Sequence, residues 1–265
     1  MIEKNESFPS ALQALALVAA WFAVEFVVGV VLDAAQGPLG LTSSQVWLLT
    51  SLVANGCVFA TVMQYRGLTY RGLFHPAGTS MRATAIRLVP WVLLLVPALV
   101  LCVSMLVDLV TRAFPLSDSQ RAMFDQMTGT DLATVLMACA IAPIVEEMLF
   151  RGVILRGFLA RYGRAQAIWG SAALFGLAHL NVYQFVAALL LGAVCGWLYE
   201  RSRSLVPCIA LHAAYNTALN VLANLGTDNG DSTQLTLTAG VWIASMLMAG
   251  AGVEFLRRAF KRREG

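Results

Sequence analysis

Charged side chains are scarce in this chain. Asp, Glu, Lys and Arg make up 12% of its 265 residues, whereas hydrophobic residues make up 58%. A soluble domain typically carries about twice that charged share. The sequence also lacks long polar stretches, Pro- or Ser-rich linkers and low-complexity tracts. These absences argue against a soluble protein and against several linked domains. They predict one integral membrane domain over 1–265.

Other absences narrow the chemistry. The five cysteines lie in apolar stretches without Cys-x-x-Cys spacing, so neither a disulfide framework nor a zinc knuckle is indicated. There is no His-Glu-x-x-His motif and no motif for a nucleophilic serine or cysteine. The net charge of +3 is small, and its distribution is a membrane-topology signal. No nucleic-acid partner is therefore expected. The lipid bilayer is the expected partner.

Long apolar segments set the predicted fold, because about 20 such residues are needed to cross the hydrocarbon core. The fifth and sixth segments are short, and the link between them near Asn181 has almost no polar length. They are expected to form a tight hairpin that stops short of the far surface. The prediction is an all-α polytopic membrane helix bundle with about eight transmembrane helices. The segments are 11–33, 45–65, 87–110, 131–155, 165–180, 183–201, 204–225 and 235–256.

The basic residues predict the orientation of this bundle. Fifteen of the 18 lie at the two ends or in the links after the second, fourth and sixth segments. Because lysine and arginine concentrate in cytoplasmic loops, both termini are predicted to be cytoplasmic, in a multi-pass protein of the cytoplasmic membrane. The basic tail after Glu254 would also contact anionic lipid headgroups. The fifteen are Lys4, Arg66, Arg71, Arg82, Arg87, Arg156, Arg161, Arg164, Arg201, Arg203, Arg257, Arg258, Lys261, Arg262 and Arg263.

Three polar signatures interrupt the apolar segments between 130 and 220. Ionisable side chains inside a membrane are costly, so they indicate a functional site by default. At about 1.5 Å per residue, the distances from the cytoplasmic surface are about 15 Å for Glu146, 12 Å for His212, 18 Å for Asn216 and 21 Å for His179. These similar depths allow the side chains to meet. The signatures are Glu146-Glu147-x-x-x-Arg151, Phe175-x-x-x-His179 and His212-x-x-x-Asn216.

Spacing within the signatures suggests separate roles. Residues four apart share a helix face, so Glu147 and Arg151 are natural partners. Glu146 is turned by about 100° from Glu147 and is free to face a cavity. Glu146 is thus the candidate base for a water molecule, with His179 as its partner. His212 and Asn216 are the candidate donors to the oxyanion. Phe175 would wall off the site or hold the imidazole of His179.

Several alternatives fit the same residues. The first is a zinc metalloprotease, in which Glu146 (or Glu147), His179 and His212 hold the metal as a two-histidine, one-carboxylate set. The second is a membrane protein that transports or binds a peptide without cutting it, such as an immunity factor. Taken singly, the polar residues could also be structural, as buried clamps or interhelical hydrogen bonds. The acid Glu25, deep in the first segment, could pair with an arginine or line the cavity.

The order of the three signatures on successive helices resembles the CAAX protease and bacteriocin-processing (CPBP or Abi) family. All the motif residues are intact, and the motif-bearing part is about 130–220, whereas 1–130 carries no family signature. The resemblance implies a glutamate-dependent intramembrane endopeptidase that needs no cofactor, although many members are labelled metalloproteases. It assigns Glu146 and His179 to water activation and His212 and Asn216 to the oxyanion site. The expected partner is a hydrophobic or membrane-attached peptide of CAAX or bacteriocin type.

Overall fold

The computed structural model describes residues 8–76, 78, 80–226 and 239–261. All the regular secondary structure in this part of the chain is helical. One long helix, Leu132–Arg161, contains two π-helical stretches, named π1 and π2 here. The elements in chain order are α1 (Ala11–Leu39), α2 (Ser43–Arg66), α3 (Tyr70–Phe74), α4 (Met81–Leu93), α5 (Val96–Ala113), α6 (Asp118–Met127), α7 (Leu132–Leu136), π1 (Met137–Ile141), α8 (Ala142–Glu147), π2 (Met148–Leu155), α9 (Arg156–Arg161), α10 (Arg164–Leu177), α11 (Val182–Ser202), α12 (Val206–Gly226) and α13 (Ala239–Lys261).

The helix ends follow from local sequence. Ser10 and Thr42 begin α1 and α2 with capping boxes, in which a glutamine three residues later bonds back to the cap. Such boxes satisfy amide groups that a helix start leaves unpaired. Gly40 and Gly67 end these helices in the left-handed conformation, which glycine adopts without a steric penalty. The first segment therefore continues past its predicted end at 33, through Pro38 to Leu39.

The number of predicted spans needs a correction. Within the described residues, seven helices are long and apolar enough to cross a membrane, compared with about eight expected. The remaining segment, 165–180, is α10, whose 14 residues give only about 21 Å of helix against a core of about 30 Å. The segment 87–110 is also broken, between α4 and α5. Pro97 explains this break, since its ring clashes with the carbonyl of Leu93, where α4 ends.

The predicted hairpin of α10 and α11 is present. Its turn passes through Leu180, which has a positive φ of 56°, and Asn181 caps the start of α11 through a bond from the Gln184 amide. Small residues let the two helices approach closely. A Cβ built on Gly192 would lie 3.1 Å from Cα of Ala172. Glycine at this position therefore sets the distance between the helices beside the candidate site.

The motif-bearing helix runs through the middle of the bundle. Every residue of π2 is buried, and Phe150 and Ile154 are fully so. By contrast, large apolar side chains such as Phe26 in α1 remain 72% exposed, as expected for surfaces that face lipid. The predicted orientation rests partly on Lys4, Arg262 and Arg263, which lie outside the described residues. The bundle thus places Glu146 and Glu147 at its centre, on the helix with the most buried environment.

Candidate active site

Two wide helical turns bracket the carboxylates. The helix is π-helical in π1 and π2, and α8, which ends at Glu147, lies between them. Pro143 accounts for the first of these turns, because it has no amide proton to donate to the carbonyl of Cys139. π-Helical turns are rare and often occur at functional sites. They change the direction in which Glu146 and Glu147 point relative to the helix on either side.

Glu147 is the centre of a buried ionic cluster. Its Oε1 accepts hydrogen bonds from Nη1 of Arg151 at 2.8 Å and from Nδ1 of His212 at 3.0 Å. The predicted pair of Glu147 and Arg151 is therefore present, and neither side chain is exposed. The link to His212 was not anticipated. Oε2 of Glu147 and Nη2 of Arg151 are buried and have no hydrogen-bond partner among the described residues. The two charges therefore depend on each other for compensation.

Phe175 packs at the junction of the three motifs. The guanidinium of Arg151 lies over its ring, 4.6 Å from the centroid. The ring also meets the imidazoles of His179 and His212 edge-on, with centroids 5.1 and 5.7 Å away. Phe175 thus contacts the buried cation and both imidazoles at once.

The hydrogen bonds define the tautomers of both histidines. Nδ1 of His179 lies 2.9 Å from the carbonyl oxygen of Phe175, which can only accept, so this nitrogen carries the proton. In a neutral ring Nε2 of His179 is then free to accept a proton. Nδ1 of His212 likewise donates to Glu147, and its Nε2 lies 3.7 Å from Oε2 of Glu146. Among the described contacts, Glu146 therefore lies against His212 rather than His179.

One cavity joins the four predicted catalytic residues. It has a volume of about 330 Å³, and Glu146, His179, His212 and Asn216 all line it, together with Phe175. Glu147 and Arg151 do not line it and lie behind Glu146 and Phe175. Asn216 donates one amide hydrogen to the carbonyl of Ala138 in π1 at 2.8 Å, which leaves its second amide hydrogen available. The structure thus brings together at one space residues of α8 and α12 and His179, which lies in the turn after α10 rather than within a helix as the segment 165–180 predicted.

A further polar wall of the cavity was predicted only in part, because lining the cavity was one of the two roles considered for Glu25. Glu25 and Trp21 of α1 and Ser51 of α2 line it, and Asn55 behind them hydrogen-bonds to Glu25. Asn55 carried no prediction. In the sequence, the signal for this wall is one deep acid in α1 and one asparagine in the middle of α2. Spacing within one helix cannot pair two residues from different helices.

The zinc alternative requires a set of converging ligands. Zinc requires three or four ligands directed at one point, about 2.0–2.3 Å from the metal. In the described stretches of the chain, no group of three or more His, Cys, Asp or Glu side chains has that arrangement. This includes Glu146, His179 and His212.

Comparison with known proteins identifies the motif-bearing region. Residues 128–218 match a family model described as type II CAAX prenyl endopeptidase Rce1-like. The match extends from the loop before α7 to the part of α12 that carries Asn216, so it includes every motif residue. No curated protein and no solved structure matches the chain.

Proposed function

The chain carries a domain of the Rce1-like type II CAAX prenyl endopeptidase family, a family of glutamate intramembrane proteases, and on this basis we propose that Glu146 activates water to cleave a membrane-attached or hydrophobic peptide. One observation carries the proposal. Glu146, His179, His212 and Asn216 line a single cavity, although they come from α8, from the turn after α10 and from α12. A peptide of CAAX or bacteriocin type is the proposed substrate class.

Glu146 and His179 are the proposed acceptors for the proton of water. A carboxylate that faces a cavity can accept this proton while the water oxygen bonds to the peptide carbonyl carbon. Nε2 of His179 has its lone pair free and can orient the same water. When the C–N bond breaks, the proton held by Glu146 passes to the leaving amine. Hydrolysis then needs no covalent enzyme intermediate.

His212 and Asn216 are the proposed stabilisers of the negative oxygen that forms on the attacked carbonyl. Donors directed at such an oxygen typically contribute about 10²–10³ in rate each. Asn216 has one amide hydrogen left after its bond to Ala138. His212 lies between the carboxylates of Glu146 and Glu147, with its Nε2 3.7 Å from Oε2 of Glu146, and an Nε2–H would be the donor to the oxyanion. The buried pair of Glu147 and Arg151 holds the ring of His212 in this position.

The decisive test is cleavage of a panel of membrane-tethered peptides by the purified protein in lipid, followed by mass spectrometry of the new ends. We expect cleavage that persists after treatment with a metal chelator, because the proposed water is activated by a carboxylate. Cleavage that is lost on chelation and restored by zinc would replace this mechanism with the metal one. Specific binding of these peptides without any cleavage would instead indicate a peptide-binding membrane protein.

We also propose that both termini lie on the cytoplasmic side. The hairpin of α10 and α11 begins at Arg164 and returns beside it, since Nη2 of Arg164 lies 2.7 Å from Oε2 of Glu200. The hairpin therefore counts as two passes in topology, although α10 is short. Together with the six other candidate spans this gives an even number of passes.

A fusion at the C-terminus tests this topology. A fluorescent protein that folds only in the cytoplasm is expected to be bright there, and alkaline phosphatase, which is active only after export, is expected to be inactive. The same two fusions placed after Phe114, between α5 and α6, should give the opposite pattern. An active phosphatase at the C-terminus would place that end outside the cytoplasm and overturn the proposed topology.

A further inference from the structure

The cavity wall formed by α1 and α2 contains a carboxylate in a fixed position. Asn55 is 3% exposed, and its Nδ2 donates to Oε1 of Glu25 at 3.3 Å. The amide is itself held on both sides. Its Oδ1 accepts from Nε1 of Trp21 at 3.1 Å, and its Nδ2 also contacts the carbonyl and hydroxyl oxygens of Ser51. Asn55 is thus a rigid support whose polar atoms are all used, and it orients the carboxylate of Glu25.

Glu25 has no basic partner in this wall. It lines the cavity, and Asn55 is the one hydrogen-bond partner that the described residues provide for it. A neutral amide supplies only part of the stabilisation that an ionised group within a membrane requires. The expected arginine partner is therefore absent from the described contacts, whereas the expected position at the cavity is present. A cationic group that enters the cavity would supply the opposite charge.

The rest of the lining favours a cation over an anion. The described residues that line the cavity include two acids, Glu25 and Glu146, and no lysine or arginine. Arg151, the nearest buried cation to the site, lies behind the ring of Phe175. A ligand carboxylate would therefore meet two acids, and the basic groups among the described lining residues are the imidazoles of His179 and His212, which the proposed reaction uses. A cationic side chain would meet Glu25 with its charge and could rest its aliphatic part on the lining rings. These rings are Trp21, Trp47, Phe124, Phe175 and Tyr215.

We propose that Glu25 is a specificity-determining residue that binds a lysine or arginine side chain of the substrate peptide, close to the bond that is cut. This inference rests on the proposed function. Glu25 and Glu146 line the same cavity of about 330 Å³, so the cationic residue lies close to the scissile bond. Asn55 is a positioning residue, which acts through Glu25.

Matched peptides test this specificity. The probes are acylated ten-residue peptides of leucine and alanine, identical except for one position that carries lysine, norleucine or glutamate and is moved along the chain. At one or two positions wild type is expected to cleave the lysine peptide with the lowest KM and the glutamate peptide with the highest. Glu25→Gln should raise KM for the lysine peptide about 10-fold or more, the usual effect of losing a charged hydrogen bond, with little change for norleucine. Glu25→Lys should reverse the order of the lysine and glutamate peptides.

Controls separate this inference from the proposed function. Glu254→Gln removes a half-exposed carboxylate on α13 and should leave the preference unchanged. Binding of the same peptides to Glu146→Gln, with and without Glu25→Gln, measures the preference independently of cleavage. Equal affinities for lysine and norleucine peptides would overturn the role of Glu25 while leaving hydrolysis intact. A uniform fall in kcat for all peptides in Glu25→Gln would also overturn it, because that pattern indicates proton transfer or folding. Cleavage by Glu146→Gln would instead overturn the proposed function.

Discussion

Replacing Glu146 with glutamine is expected to lower the rate of peptide cleavage by about 10²–10⁴-fold, the usual contribution of a general base. The amide has nearly the same shape as the carboxylate but cannot accept the proton of water. The side chain faces the cavity rather than the Glu147–Arg151 pair, so the fold should be retained. The measurement is kcat on a peptide that wild type cleaves, with the thermal midpoint recorded for the same preparation.

A second variant, which removes a different carboxylate, controls for a general effect of lost negative charge. Asp108→Asn removes an acid from α5 that pairs with Arg112 at 2.7 Å on the exposed surface. It should leave kcat unchanged. Wild-type activity in Glu146→Gln would rule out Glu146 as the base, and a biological effect that survives this substitution would indicate that the protein acts without catalysis.

Replacing Arg151 with methionine is expected to reduce stability by about 3–5 kcal/mol, because it leaves a buried carboxylate without its counter-charge. Glu147 would then keep only His212 as a hydrogen-bond partner. The double variant Glu147→Gln with Arg151→Met removes both charges and should recover much of this loss. The measurement is the free energy of unfolding in mixed micelles for the single and double variants.

An exposed pair provides the comparison for this result. The side chains of Arg112 and Asp108 are 71% and 59% exposed, so Arg112→Met should cost no more than about 1 kcal/mol. If Arg151→Met were as stable as the double variant, Glu147 would not depend on the arginine for its charge. The cluster would then be stabilised by contacts other than ion pairing.

The motif residues and the family were predictable from sequence because the chemistry is local and unusual. Few reasons other than function explain acids and histidines inside apolar helices, and the resemblance that they predicted is confirmed by the match over 128–218. The pair of Glu147 and Arg151 was also predictable, since two residues four apart meet on almost any helical backbone. The all-helical fold followed from the apolar segments in the same way.

Contacts between helices were not predictable from spacing. His212 was grouped with Asn216 because they share a face, but its hydrogen bond goes to Glu147 on another helix. The hydrogen bond between Asn55 and Glu25 was equally unpredictable, because it forms only when α1 packs against α2. The count of spans failed for a different reason. Hydropathy does not register that α10 ends after 14 residues or that Pro97 interrupts the third segment.

The two π-helical turns have a consequence for how this helix tolerates insertions and deletions. A π turn is equivalent to one extra residue in an α-helix, and one residue corresponds to about 100° of rotation. Deleting a single residue from π1 would restore regular α-helix and swing Glu146 and Glu147 together to a different azimuth relative to α7. The carboxylates would keep their depth in the bilayer to within about 1.5 Å, yet lose their direction. In this helix, the rotational position of Glu146 and Glu147 about the helix axis therefore matters more to the site than the number of residues that precede them.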